Sequence, residues 1–122
     1  MADASTLRHF RDIVAAGGYI GAADGVATEA FGGAVYAAQS ATTQTEEYAL
    51  GAAVVFKELM LPGWCWRCGH GSQDPGWAHL NRLHPDHCDR LDEANGLAPT
   101  PAKALVVATL NALIAIEEAR HG

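Results

Sequence analysis

Between Trp64 and Cys88 lie all three cysteines, all three tryptophans and four of the six histidines of the 122-residue chain. Within that stretch, Cys65-Trp66-Arg67-Cys68-Gly69 sets two thiols two residues apart. At this spacing one tight loop can direct both sulfurs at a single ion, and a following glycine relieves the backbone. Half of a tetrahedral zinc (Zn2+) site is thereby supplied. The other half must come from His70, His79, His84, His87 or Cys88, the histidines and cysteine nearest in sequence. Closing the site with His84 and Cys88 gives Cys-x2-Cys-x15-His-x3-Cys, uses every thiol, and on a helix places Leu80, His84 and Cys88 in one i, i+4, i+8 row. Closing it with His79 and His84 gives Cys-x2-Cys-x10-His-x4-His. Thiolate suits zinc better than a spare imidazole, so the expected ligands are Cys65, Cys68, His84 and Cys88. The competing expectation is free buried cysteines with surface histidines and no metal.

His79-Leu80-Asn81-Arg82-Leu83-His84-Pro85 is similar to the end of a zinc-finger helix, where the second histidine is often followed by proline. The segment from Cys65 to Cys88 resembles single zinc fingers of the two-Cys His-Cys and two-Cys two-His kinds, over about a fifth of the chain. The resemblance implies a knuckle clamped against one helix. Four protein ligands fill the coordination sphere of zinc, which makes the expected ion structural rather than catalytic. His87 is placed to donate to Asp86 or Asp89, the outer-shell role common around zinc. Trp64, Trp66 and Trp77 either pack beside the metal or form a docking surface.

Catalytic readings fail on their own requirements. A nuclease of the His-Asn-His type needs an Asp-His or His-His pair near its second strand, and the chain offers Trp77-Ala78-His79. Cys88 and His87 as nucleophile and base would diverge by about 100° on a helix. Asp92-Glu93 and Glu117-Glu118 read as solvated faces, and Gly17-Gly18-Tyr19-Ile20-Gly21 lacks the spacing and the lysine of a phosphate loop. A non-enzymatic protein is expected.

The elements that position the cluster read as helices. Asp3 or Ser5 caps a first helix to about Ala16, with Leu7, Phe10, Ile13 and Val14 at helical spacing and Gly17-Gly18 as its stop. A second, from Ala22 to about Ser40, is rich in alanine and broken or partly loop at its glycines. Thr43-Gln44-Thr45-Glu46 has capping-box spacing and predicts a third helix ending at Pro62-Gly63, with Tyr48, Ala52, Val55, Phe56 and Leu59 inward and Glu47, Lys57 and Glu58 mostly outward. Gly96 reads as a stop, and Thr100-Pro101 starts a last helix to about Arg120. That helix has little polar face between Lys103 and Glu117, so it is either a central core helix or one that also pairs with another subunit. The expected fold is mainly α, one domain over residues 1–122 of about four helices, with a zinc-finger insertion at residues 64–95.

Eight basic against fourteen acidic residues give a formal charge of −6, which argues against non-specific attraction to nucleic acid or anionic membranes. The apolar run Ala104 to Ile116 is short of the roughly 20 residues a membrane-spanning helix needs. Met1 to Asp12 mixes both signs of charge without an apolar core, so no secretory signal and a cytoplasmic location are expected. Together these features point to an assembly or adaptor component, of a phage particle or a bacterial complex, that binds a protein partner or itself. The alternative is a nucleic-acid-binding regulator using Arg67, Arg82 and Arg90, which the neighbouring Asp74, Asp86, Asp89, Asp92 and Glu93 outnumber.

Overall fold

A computed structural model of the chain describes residues 2–83 and 90–121. In chain order it forms α1 (Ala4–Ala15), α2 (Gly25–Phe31), one 3-10 turn (Gly32–Ala34), α3 (Val35–Thr43), α4 (Glu46–Met60), β1 (Cys65–Gly69), β2 (Gly76–Leu83), β3 (Arg90–Ala98) and α5 (Pro101–His121).

The helix starts follow local chemistry. Asp3 accepts from the Thr6 amide and opens α1, whose Leu7, Phe10 and Val14 form one buried row. Asp24 accepts from Val26 and Ala27 and opens α2. The alanine-rich second segment breaks at Gly32, whose φ of +57° ends α2 in a conformation that side chains resist. The capping box does not form as spaced: Thr43 Oγ1 donates to the Gln39 carbonyl inside α3, and Thr45 is the residue preceding α4. Phe10, Phe31 and Phe56, from α1, α2 and α4, meet edge to face at centroid distances of 5.4 and 5.5 Å and anchor the helical side of the core.

α5 is the central element. Ala102, the run Ala104 to Leu110 and the run Ala112 to Ile114 are buried, against α1, α3 and α4 on one side and the strands on the other. Thr109 satisfies its buried hydroxyl by donating to the Leu105 carbonyl. Lys103 ties the start of α5 to the exit of α1 by donating to the Gly17 carbonyl at 2.8 Å.

The expectation of a mainly α fold with an inserted finger is corrected. Cys65–Gly69, Gly76–Leu83 and Arg90–Ala98 build a three-stranded antiparallel sheet in the order β1-β2-β3, so the fold is mixed α/β. Cys65 pairs with Asn81 and Gly69 with Trp77 at the two ends of the β1–β2 ladder. Gly76 pairs with Ala98 and Leu83 with Arg90 at the ends of the β2–β3 ladder. Ala78, Leu80, Ala94, Gly96 and Ala98 face α5. Because these inward residues are mostly alanine and glycine, α5 approaches the sheet closely: a Cβ on Gly96 would lie 2.4 Å from the Ala104 carbonyl oxygen. Gly96 is therefore a contact point inside a strand, not a stop. The strands share one buried cluster with the helices.

Candidate functional site

The predicted zinc ligands fall as follows. Side chains alternate across a strand, so Cys65 and Cys68, three residues apart on β1, point to opposite faces. Cys65 is exposed on the outer face, in the row with Asn81 and Glu93. Cys68 is half-buried on the inner face opposite Ala78, close enough to the start of α4 for Glu46 to act on it. Burial, and after it the Glu46 carboxylate, push the Cys68 thiol up from its ordinary value. A tetrahedral centre needs both sulfurs on one side, and on β1 these two lie on opposite faces. His84 and Cys88 lie outside the described residues. Among the described residues, no group of three or more His, Cys, Asp or Glu side chains converges on a common point.

His79, the alternative ligand, sits on the outer face. Its Nδ1 lies 2.8 Å from Asn95 Oδ1 and its Nε2 3.7 Å from Glu93 Oε1, which makes it a cross-strand partner of β3. Asn111 of α5 donates to the Asn95 carbonyl and accepts from Arg11 of α1, so the β3 side of the sheet is closed by side chains. The tryptophans separate: Trp64 enters the core, Trp77 lies across Gly69, and Trp66 is 39% exposed.

A shallow groove of about 370 Å³ runs between the sheet and the last turns of α5. Its floor is Ala112, Ala115 and Ile116, and its rim carries Arg82 and Asp92. Arg82 donates twice to Asp92, at 2.6 and 3.1 Å, so its charge is already engaged.

The surface that sequence reasoning missed is on α4. Tyr48, Val55 and Leu59 were expected inward; they are 68%, 51% and 59% exposed. Lys57 was expected outward; it is buried, and its ammonium donates to the Trp64 carbonyl and to Glu58. The helix carries two apolar rows with identical spacing, Tyr48-Ala52-Val55-Leu59 and Ala49-Ala53-Phe56-Met60. The second row packs into the core, because its two alanines let α4 lie close to α5. Periodicity fits both rows, and only the position of α5 selects between them. The signal available in the sequence was the presence of two rows rather than one.

No family model, curated sequence or solved structure matches this chain. The fold and its surface define a small α/β domain built on a central helix. No described helix is long and apolar enough to cross a membrane.

Proposed function

We propose that this chain is a non-catalytic partner-binding module that assembles through the outward row of α4. The observation that carries the reading is the outward apolar row, of which Tyr48, Val55 and Leu59 are left exposed beside a core that the parallel row already fills, with Ala52 partly buried between them. A helix apolar over more than half its circumference gains from burial on both sides, and contiguous exposed apolar surface marks interaction sites. The nucleic-acid reading has less support. Of the arginines that this reading uses, Arg82 is already engaged by Asp92.

The test is sedimentation velocity together with affinity purification of the tagged chain, comparing wild type with a Val55→Glu/Leu59→Glu variant. Expected is a self-associated species or a stoichiometric protein partner for wild type, lost in the variant at unchanged melting temperature. A wild-type chain that stays monomeric and partner-free, or a complex indifferent to both substitutions, overturns the proposal.

A further inference from the structure

Resting on that reading, we infer that the occupant of the α4 row is an amphipathic helix of another protein, basic along one edge, rather than a second copy of this chain. At about 100° per residue, Val55, Tyr48, Leu59 and Ala52 span roughly 60° of the α4 surface. Glu47 and Glu58 lie on the same flank of that arc, about three turns apart along the helix, both exposed. Gly51 separates them from the apolar row, and a Cβ there would meet nothing within 4 Å. An incoming helix therefore finds apolar anchors at i, i+4, i+7 and i+11 with an acidic edge beside them, the pattern by which helices dock in grooves.

Charge decides between the two occupants. An antiparallel two-fold pairing of α4 with its copy matches the apolar residues well, Tyr48 over Leu59 and Ala52 over Val55. The same two-fold sets Glu47 of one chain beside Glu58 of the other, twice, in a chain whose formal charge is already −6. Lys57, the lysine of α4, cannot move to relieve this edge, since it is buried and held by the Trp64 carbonyl. It gives Glu58 one contact at 2.6 Å while the Glu58 side chain stays 52% exposed. A partner helix with Lys or Arg along the matching edge turns both like-charge juxtapositions into attractive ones and keeps the apolar match.

The test uses fluorescence anisotropy with two synthetic five-turn helical peptides, identical in leucines at i, i+4, i+7 and i+11. One carries lysine and the other glutamate along one edge. Expected is at least tenfold tighter binding of the lysine peptide at low salt, a preference removed by Glu47→Gln/Glu58→Gln and all binding removed by Val55→Ser/Leu59→Ser. Equal affinities, or a preference that survives the glutamine variant, overturns the inference. If neither peptide binds and the wild type forms a dimer that Val55→Ser/Leu59→Ser abolishes, the basic partner is refuted and the binding role of α4 stands. If neither peptide binds and the wild type is a monomer without partner, both fall.

Discussion

Replacing Gly96 by alanine measures the contact on which the architecture turns. The added methyl would lie 2.4 Å from the Ala104 carbonyl oxygen, 2.5 Å from the Ala108 nitrogen and 3.1 Å from the Ala108 Cα. All three are backbone atoms of α5, so no side-chain rotation relieves them. Restoring ordinary contact requires β3 and α5 to separate by about 1 Å. α5 is packed on its far side by α1 and α4 and cannot yield freely. Overpacking of this kind costs about 1–3 kcal/mol, and a backbone-to-backbone clash belongs at the upper end. For a domain of this size about 3 kcal/mol lowers Tm by roughly 10 °C. Circular dichroism melts would read it, with Gly51→Ala as control. A Cβ at Gly51 meets nothing within 4 Å, and alanine is favoured over glycine inside a helix by up to about 1 kcal/mol, so that variant should melt a few degrees higher. A Gly96→Ala protein within about 2 °C of wild type would refute the close approach of β3 to α5.

Lys57→Ala should cost about 2–4 kcal/mol in urea unfolding, because it removes a buried stem and leaves the Trp64 carbonyl without its donor; a loss under about 0.5 kcal/mol would refute the buried placement. Asp24→Ala should cost about 1 kcal/mol by freeing the Val26 and Ala27 amides, and an unchanged urea midpoint would show that the cap contributes nothing. Iodoacetamide should modify Cys65 well before Cys68, and Cys68→Ser should leave the zinc content of the purified protein unchanged; equal rates, or zinc lost with Cys68, would restore the knuckle. The Cys68 thiol is raised in the folded state, so its neutral form favours folding below the unfolded thiol value of about 8.5, and that contribution is lost as pH rises through the folded value. Above about pH 9 the wild type should therefore lose stability faster than Cys68→Ser, measured by urea midpoints, and parallel slopes would contradict the burial of that thiol.

The helices were legible where side-chain size marks the buried row. Leu7, Phe10 and Val14 are large, and α1 lies where they place it. Thr100-Pro101 opens α5 as expected, with the Thr100 hydroxyl accepting from the Lys103 amide. The sheet was not legible because the buried inward positions of β2 and β3 are Ala78, Ala94, Gly96 and Ala98 with Leu80 alone of any bulk, and alternation of alanine with polar residues carries almost no period-two signal. The spacing of Cys65 and Cys68 has two meanings, convergent in a tight loop and divergent in a strand, and pairing of β1 with β2 selects the second. On α4 the choice between two apolar rows depends on α5, more than forty residues away in sequence, which no local window contains.

Both corrections have one cause. A three-stranded sheet has too little apolar mass to stand alone and needs either a metal or a packed helix behind it. Here α5 supplies the helix, and the small residues at Ala78, Ala94, Gly96 and Ala98 let it approach until backbone touches backbone. On its other side Ala49 and Ala53 do the same for α4. On α4, Ala49, Ala53 and Phe56 of the inward row already fill the space that faces the core, so the opposite row has no place in it. Tyr48, Val55 and Leu59 are consequently left outside. The outward row of α4 thus follows from the way the core is packed, and the same packing seats that row on a helix lying against α5. An incoming helix would meet a backbone already folded, so the ordering cost on this side is confined to the exposed side chains of the row.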